Sequence, residues 1–370
     1  MKKLGFGAMR LPLTNSDDPK SIDLDQFRAM ADLFLERGFC YFDTAYPYHQ
    51  EHSELAVRSC VVERHPRDRF LLADKMPIVR VQATEDYERF FTEQLRRCGV
   101  DYFDVYLLHN IGRDRYIRTQ RLGGFEFISR MKQEGKVGKI GFSFHDDAQT
   151  LDRVLTEHPE VDVVQLQLNY LDWDGAVAQS GRCYETAVRH GKEVIVMEPV
   201  KGGQLAKLPE EAERLFRDFY GDGPDAPSPA SLAVRYAASL EHVKVVLSGM
   251  TRLDQAEDNT AYMQSFVPLS PEEHDLAERI AAVMRKAIRV QCTQCRYCTE
   301  VCPKDIAIPD YFGLLNLHAI TGQKSRMYYE RYSMNHGKAS DCLKCGLCET
   351  NCPQHLPIRE RLKEFAALYE

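Results

Sequence analysis

Two cysteine runs in the last quarter of the chain constrain its fold most strongly. CTQCRYCTEVCP extends from Cys292 to Pro303, and CLKCGLCETNCP extends from Cys342 to Pro353. Thiolates are soft ligands that favour zinc or iron–sulfur clusters. Zinc sites usually use two separated C-x2-C pairs, whereas C-x2-C-x2-C-x3-C-P is the run of bacterial ferredoxins. The doubled run therefore predicts two [4Fe–4S] clusters.

The fourth cysteine of such a run binds the cluster of the other run. The segments between the two runs, 309–320 and 325–334, look helical, so the tail resembles the helical ferredoxin domains that are attached to redox enzymes. The expected ligand sets are Cys292, Cys295 and Cys298 with Cys352, and Cys342, Cys345 and Cys348 with Cys302.

Before these runs, short apolar stretches alternate with amphipathic helical ones. Near-continuous apolar runs such as VDVVQLQL are typical of parallel strands buried on both faces. Eight such alternations over about 260 residues match a (β/α)8 barrel; a doubly wound sheet is the alternative, and the count of eight favours the barrel. The predicted strands are 3–9, 39–43, 70–75, 103–109, 139–144, 161–168, 193–198 and 243–249.

The predicted fold class is therefore α/β, with a (β/α)8 TIM barrel and a C-terminal helical two-cluster ferredoxin-like domain. We expect the barrel over 1–268, a linking helix over 269–285 and the cluster domain over 286–370. Among the barrel helices, 84–99 has clear limits, since Thr84 suits the N-cap and Gly99 suits the stop.

Composition excludes several function classes. The net charge is −7, and no Lys/Arg run interleaved with aromatics stands out, so nucleic acid is not an expected partner. No apolar run reaches the ~18 residues that span a bilayer, and the first residues lack the features of a signal peptide, so we expect a cytoplasmic protein without a membrane partner. The cysteines outside the runs are read as buried small hydrophobes: Cys40, Cys60, Cys98 and Cys183.

In a barrel of this kind, catalytic residues lie at the C-terminal ends of the strands. Asp43, Lys75 and His109 end the second, third and fourth predicted strands, and Tyr48 follows in the loop after the second. Singly, each has an ordinary structural explanation; together they predict an active site. A Lys75 ammonium paired with Asp43 can lower the pKa of Tyr48. Tyr48 can then protonate a carbonyl oxygen as hydride reaches the carbon, while His109 orients that carbonyl.

The stretches DTAYPYHQEHSE, ADK, DVYLLHN, GKVGKIGFSFH and QLQLNY resemble the aldo/keto reductase superfamily along essentially the whole barrel. With MEPVKGGQLA and the cysteine runs, the chain resembles its iron–sulfur branch. The resemblance implies an oxidoreductase that acts on a small carbonyl or alcohol, with Asp43, Tyr48, Lys75 and His109 as its tetrad. It also implies a nicotinamide cofactor, NAD(P)H, at the barrel mouth.

The same resemblance implies cofactor contacts. Ser143 and Gln165 match positions that hold the carboxamide, and the loops after strands seven and eight match the phosphate and adenosine sites. Phe144 and Met197 depart from the usual residues around the nicotinamide. Gly249 and Gln255 replace the basic residues of NADPH-preferring members, so the choice between NADH and NADPH stays open. The implied loop contacts are Pro199, Val200, Lys201, Gly202, Gly203, Gly249, Met250, Arg252, Gln255, Asp258 and Asn259.

Nicotinamide moves two electrons as hydride, whereas each cluster moves one, and three interpretations follow. The clusters exchange electrons with an external carrier such as ferredoxin or flavodoxin; or they are structural or redox-sensing elements of an NAD(P)H-dependent carbonyl reductase; or the protein is a non-catalytic electron-transfer or regulatory subunit. The intact tetrad argues against the third interpretation. A site with a purely structural role would not require eight cysteine ligands, which favours the first interpretation.

Overall fold

The computed structural model describes residues 1–174, 179–223, 226–321, 324 and 326–370. Eight parallel strands form a closed barrel in chain order, with β1 paired to both β2 and β8. The predicted (β/α)8 barrel is thus confirmed, and all eight predicted strands are present. They are β1 (Leu4–Gly7), β2 (Tyr41–Asp43), β3 (Leu71–Met76), β4 (Phe103–Ile111), β5 (Val137–Phe144), β6 (Val163–Gln167), β7 (Glu193–Met197) and β8 (Val243–Ser248).

Helices connect the strands and make up most of the C-terminal part. Both segments predicted as helical between the cysteine runs are helices. Within the described ranges, no helix is long and apolar enough to cross a lipid bilayer. The helices are α1 (Leu24–Glu36), α2 (Ser53–Val57), α3 (Glu85–Cys98), α4 (Arg113–Arg121), α5 (Gly124–Gln133), α6 (Ala148–Glu157), α7 (Ser180–Arg189), α8 (Glu210–Tyr220), α9 (Pro229–Ser239), α10 (Leu253–Gln264), α11 (Pro271–Ala287), α12 (Tyr297–Glu300), α13 (Ile308–Thr321), α14 (Arg326–Asn335), α15 (Leu347–Thr350) and α16 (Ile358–Tyr369).

The chain forms two compact units. The first comprises Met1–Pro199 and Ala230–Ser270 and contains the barrel. The second comprises Val200–Pro229 and Pro271–Glu370 and contains both cysteine runs. The segment after β7 therefore belongs to the same unit as the cysteines.

Helix α3 tests the two residues that were predicted to begin and end it, Thr84 and Gly99. It ends before Gly99, whose φ of 70° is the left-handed conformation that glycine adopts without steric cost. Thr84 stands at the N-cap position, but its side chain makes no capping bond; its hydroxyl donates to the Leu122 carbonyl instead. The Asp86 carboxylate, inside the first turn, accepts from two backbone amides before the helix. The predicted capping role of Thr84 is therefore wrong.

Apolar side chains fill the lower part of the barrel. Among them are Tyr41 on β2, Ala73 on β3 and Leu107 on β4, all buried. Since strand side chains alternate between faces, the residues two positions further along these strands share the same face. They are Asp43, Lys75 and His109.

A glycine makes room for Tyr41 inside the barrel. A Cβ on Gly5 would lie 2.6 Å from Val245 Cγ1 and 3.2 Å from the Tyr41 ring. Contacts of 2.6 Å do not occur between packed carbon atoms, so a larger residue at this position would have to move a strand neighbour.

Outside the barrel wall, phenylalanines attach α1 to β1 and β2. Phe6 stacks on Phe42 with ring centroids 5.6 Å apart, and Phe34 meets Phe6 edge-on at 5.6 Å. Phe39 stacks on Phe34 at 5.1 Å. These are the preferred geometries of aromatic pairs, each worth about 0.5–1.5 kcal/mol beyond the buried area.

The second unit has its own core, into which the cysteines pack. Phe365 on α16 stacks on Tyr311 of α13 at 4.7 Å and on Tyr369 at 4.5 Å. The Tyr311 hydroxyl donates to the Gly337 carbonyl at 2.9 Å. Four of the run cysteines are buried members of this core: Cys292, Cys298, Cys348 and Cys352.

A buried polar network joins α2 and α3 to the barrel. The Glu54 carboxylate on α2 accepts from the Arg97 guanidinium and, at 3.0 Å, from Gln94 Nε2. Gln94 Nε2 also donates to the Lys75 carbonyl at 3.0 Å, and its Oε1 accepts from the Tyr106 hydroxyl at 2.5 Å. Because Glu54 is fully buried, its charge depends on Arg97.

We expect the substitution Arg97→Leu to lower the free energy of unfolding of the barrel by about 3–5 kcal/mol, the usual cost of leaving a buried charge without its partner. The only tryptophan of the chain, Trp173, lies in the barrel unit. Its fluorescence during urea denaturation therefore measures this change.

Arg130→Leu is the matched control, since Arg130 pairs with Glu88 at 2.9 Å and both side chains are more than half exposed. It should change the free energy of unfolding by no more than about 1 kcal/mol. Equal losses in the two variants would contradict the role assigned to the buried pair.

Candidate active site and cysteine-lined cavities

The Lys75 ammonium lies at the centre of the predicted catalytic residues. It donates to Asp43 Oδ1 at 2.5 Å, to the Thr44 carbonyl at 2.7 Å and, at 3.3 Å, to the Tyr48 hydroxyl. An ammonium has three protons to donate, so these three acceptors satisfy it. The structure thus brings Asp43, Lys75 and Tyr48 together, as the sequence predicts.

The second oxygen of Asp43 is also bound. Gln165 Nε2 on β6 donates to Asp43 Oδ2 at 3.0 Å. Burial raises the pKa of Asp43, while the Lys75 charge and the bonds from Lys75 and Gln165 counteract that rise. The carboxyl group is therefore held from both sides, which fixes the position of Lys75.

The pKa of Tyr48 shifts in the direction opposite to the prediction. Burial raises it well above its ordinary value, and the negative charges of Asp43 and Glu198 add to the rise. Asp43 lies against the Lys75 ammonium, so the positive charge that was expected to lower this pKa is neutralised locally. Tyr48 therefore carries its proton, which makes it a proton donor rather than a phenolate.

His109 lies beside Tyr48. The two rings meet edge-on with centroids 5.8 Å apart. Burial lowers the pKa of His109 well below its ordinary value, and the nearby charges of Lys75, His145 and Arg115 lower it further. A neutral imidazole has one N–H donor and one acceptor, so His109 can donate one hydrogen bond without carrying a charge.

The two residues expected at the carboxamide are neighbours. Ser143 on β5 pairs in register with Gln165 on β6, and both are buried. Ser143 Oγ accepts from the Asn110 amide at 2.7 Å, so its hydroxyl proton remains available for donation. Gln165 binds Asp43 through its amide nitrogen. Ser143 and Gln165 together therefore suit the binding of a carboxamide group.

The residues that follow β8, in the loop and on α10, fit a dinucleotide only in part. Arg252 is exposed, but Asp254 holds its guanidinium through two bonds of 2.9 and 2.7 Å. Gln255 Oε1 accepts from the Thr251 amide at 2.8 Å. Asn259 Nδ2 donates to Ser248 Oγ at 2.7 Å. Gly249 also lies in this loop and the half-buried Asp258 lies on α10, whereas Met250 is fully buried in the core.

The implied contacts after β7 fall in both units. Pro199 belongs to the barrel unit, and 200–203 belongs to the second unit. This segment comprises Val200, the buried Lys201 with a φ of 45°, and two glycines with positive φ, Gly202 and Gly203.

Sequence reasoning missed an ion pair in the barrel unit. Arg10, just after β1, donates to Glu198 Oε1 at 3.0 Å, and Glu198 directly follows β7. Both charges act on Tyr48, because Glu198 raises its pKa and Arg10 lowers it. The strand-end rule that identified His109 would also have identified Glu198, although only the closed barrel brings Arg10 to it.

Each predicted set of four cysteines lines one cavity of the second unit. Cys292, Cys295, Cys298 and Cys352 line one cavity. Cys302, Cys342, Cys345 and Cys348 line the other. The fourth cysteine of each run lies in the cavity of the other run, as the ferredoxin spacing predicts.

The first cavity has amide donors suited to thiolate ligands. The Gln294 amide donates to Cys292 Sγ at 3.4 Å. Burial raises the pKa of Cys352, and backbone hydrogen bonds from Leu356, Gln354 and His355 counteract that rise. Hydrogen bonds to cluster sulfurs are among the features that set a reduction potential. Four thiols around an open space, with amides directed at the sulfur, fit an iron–sulfur cluster.

Known protein families match both parts of the chain. The profile of the aldo/keto reductase family matches residues 3–282, and the profile of the 4Fe-4S dicluster domain matches residues 291–356. A comparison with curated proteins found no match.

Solved structures share the barrel fold. The aldo-keto reductase AKR11C1 from Bacillus halodurans (holo form) is 25% identical, with a TM-score of 0.60, covering 75% of this chain and 91% of that one. An aldo-keto reductase from Klebsiella pneumoniae in complex with NADPH is 20% identical, with a TM-score of 0.59, covering 75% and 90%. An aldo/keto reductase from Brucella melitensis is also 20% identical, with a TM-score of 0.55, covering 75% and 94%.

We expect single cysteine substitutions to remove clusters crosswise. Cys352→Ser should remove the cluster of the first run, and Cys302→Ser that of the second, because each supplies a ligand to the other cavity. Iron content after anaerobic reconstitution should fall by about half in either variant. Adding Cys292→Ala to Cys352→Ser should cause no further loss, whereas adding Cys342→Ala should remove the remaining iron.

Cys40→Ser is the control, since Cys40 lies in the barrel unit and lines neither cavity. It should keep the full iron content. A Cys352→Ser/Cys342→Ala variant that retains half of the iron would contradict the crosswise ligand sets.

Proposed function

The chain belongs to the aldo/keto reductase family and carries a 4Fe-4S dicluster domain, and from this premise we propose what its oxidoreductase barrel does. It interconverts a small carbonyl compound and the corresponding alcohol with Tyr48 as the acid/base, and two [4Fe–4S] clusters exchange electrons with an external carrier. One observation carries the first part: the buried Lys75 ammonium binds both Asp43 and the Tyr48 hydroxyl.

Tyr48 is the proton donor for carbonyl reduction. Its raised pKa keeps the phenol protonated, yet a phenol is still a stronger acid than an alcohol. Proton transfer from Tyr48 to the developing alkoxide is therefore favourable. Lys75, 3.3 Å from the phenol oxygen, stabilises the phenolate that remains, and in alcohol oxidation the same groups act in reverse.

His109 orients the substrate. As a neutral imidazole beside the Tyr48 ring, it can donate one hydrogen bond to the carbonyl oxygen. Two donors, the Tyr48 hydroxyl and the His109 N–H, then converge on the atom where negative charge develops, which is the arrangement that lowers the barrier.

The cofactor proposed for hydride transfer is a nicotinamide, with Ser143 and Gln165 at its carboxamide. Bound NADPH supplies the hydride in this chemistry. The Klebsiella pneumoniae relative is in complex with NADPH, which supports NADPH over NADH. Arg252 is the basic residue of the loop after β8. To bind the 2′-phosphate of NADPH, its guanidinium would have to leave its ion pair with Asp254.

The clusters are proposed to exchange electrons with a ferredoxin or flavodoxin. Hydride from bound NADPH would supply both electrons of a carbonyl reduction. Each cluster passes one electron at a time, so the partner proposed for the clusters is a one-electron carrier rather than the substrate. The proposal is supported by two complete ligand sets, each of which lines its own cavity.

One observation favours a second candidate, an NAD(P)H-dependent carbonyl reductase whose clusters are structural or redox-sensing. Four of the eight cysteines are buried in the core of the second unit, so bound clusters would also stabilise that fold. The two candidates share the barrel chemistry and differ in whether electrons leave the clusters.

We expect Tyr48→Phe to reduce the rate of NADPH-dependent reduction of a reactive aromatic aldehyde by roughly 10²–10⁴-fold, the usual contribution of a positioned acid. NADPH absorbance measures the rate. Tyr46→Phe is the control, because the Tyr46 hydroxyl donates to Glu93 at 3.3 Å, and it should keep the rate. Full activity in Tyr48→Phe would refute the assignment.

An anaerobic titration separates the two candidates. If the clusters exchange electrons with a carrier, reduced ferredoxin should bleach their visible absorption in the reconstituted protein within the mixing time of a stopped-flow experiment. Under the structural candidate, only dithionite should bleach them, while aldehyde reduction by NADPH stays intact. Absence of aldehyde reduction in wild type, with an intact fold, would contradict both.

A further inference from the structure

The two cysteine runs are internal repeats with very different surroundings. The residue after the first cysteine is Thr293 in the first run and Leu343 in the second. Thr293 is 1% exposed, whereas Leu343 is 59% exposed. Leu347, just before the third cysteine of the second run, is 49% exposed. The same motif is therefore covered in one copy and open in the other.

The chain itself covers the first run. Gln204 Nε2 donates to the Cys292 carbonyl at 2.6 Å. A Cβ on Gly202, at φ 63°, would lie 2.5 Å from the Thr293 carbonyl oxygen. Segment 200–204 is therefore packed against the first run within the second unit.

No such cover lies over the second run among the described residues. Cys345 is exposed, and Leu343 is one of the residues that line its cavity. Two large apolar side chains exposed to water in one short run, beside a proposed electron-transfer site, are typical of the centre of a protein interface.

Positive charges surround these leucines. Lys304 and Arg359 line the second cavity, which has no carboxylate in its lining. Lys344, Arg359 and Lys363 line the adjoining groove, with Glu349 and Glu360. Arg359 binds Glu349 at 2.7 Å. The other charged residues of the two linings are Lys304 in the cavity and Lys344, Lys363 and Glu360 in the groove. The chain as a whole carries −7, so this face is cationic on an acidic protein.

Two further carboxylates adjoin the lining residues in sequence, and both keep their charge while accepting hydrogen bonds. Asp305 accepts from His336 Nδ1 at 2.9 Å. Asp341 accepts from the Lys338 amide at 2.9 Å. Neither carboxylate lines the cavity or the groove, where basic side chains outnumber acidic ones.

We propose that Leu343, Leu347 and the surrounding Lys304, Lys344 and Lys363 form the docking face for an acidic ferredoxin, and that electrons pass there through the cluster of the second run. Each encounter moves one electron: the reduced ferredoxin is oxidised and the cluster is reduced, with no proton or bond change. Opposite charge steers the acidic partner, and the leucines exclude water between the two clusters. This inference rests on the proposed carrier exchange and adds its place and partner.

The repeat provides a matched pair of variants. Lys344 and Gln294 occupy equivalent positions, both exposed, with φ of 58° and 57°. Lys344→Glu should weaken binding of an acidic two-cluster ferredoxin to the reconstituted protein about tenfold at low ionic strength. Gln294→Glu should leave the dissociation constant within about twofold. Biolayer interferometry measures both, and iron content confirms that the clusters are intact.

Leu347→Ser tests the apolar part of the face. It should weaken binding at low and at high salt alike, whereas the effect of Lys344→Glu should disappear as salt screens the charges. Equal dissociation constants for wild type, Lys344→Glu and Leu347→Ser would overturn the docking face. Tight binding of a flavodoxin at this face, with none of ferredoxin, would overturn the choice of partner.

Failure of the docking face is distinguishable from failure of the proposed function. If reduced ferredoxin bleaches wild type and Lys344→Glu at the same rate, the proposed electron exchange with a carrier is supported, but the proposed location of the docking face is wrong. If it bleaches neither, while dithionite bleaches both, the proposed exchange itself is wrong.

Discussion

The barrel site depends on a lysine ammonium that has been removed from water. Burying such a charge costs several kcal/mol unless it is paired and fully hydrogen-bonded, and Lys75 meets that condition through Asp43, Thr44 and Tyr48. The backbone around Lys75 is held as well, because its amide donates to Asp74 and its carbonyl accepts from Gln94. The position of the Tyr48 phenol thus follows from the hydrogen bonds that the buried Lys75 ammonium requires. The helices outside the barrel also support Lys75, because Gln94, which binds its carbonyl, is bound to Glu54, and Glu54 is paired with Arg97.

The second unit depends on a different constraint, the exchange of one ligand between two cysteine runs. Each cavity takes three cysteines from one run and the fourth from the other, so neither site can form without both runs. This crossing brings α13 and α16 together, where Tyr311, Phe365 and Tyr369 stack. Segment 200–204 then covers one run and leaves the other open. Two runs that are repeats in sequence therefore differ in how far they are exposed.

Strand order and most helix limits could be predicted from local sequence. All eight strands were found because their apolar runs are near-continuous, and Gly99 ended α3 because only glycine adopts its conformation cheaply. The capping role of Thr84 failed because its hydroxyl donates to the Leu122 carbonyl instead of accepting from the first turn of the helix. For the candidate site, Asp43, Lys75, His109 and Gln165 were placed correctly because each ends a strand or lies within one on the interior face. Arg10 was not found, since its partner Glu198 lies 188 positions away.

By itself, the sequence determined the eightfold barrel, the meeting of Asp43, Tyr48, Lys75 and His109 at one end of it, and the crosswise grouping of the cysteines around two cavities. These follow from short-range periodicity and spacing. Only the tertiary structure decided that Tyr48 holds its proton, that His109 is neutral, and that one cysteine run is covered while its repeat is open. Protonation and exposure depend on burial and on charges from distant segments, because desolvation and Coulomb energies act through space rather than along the chain.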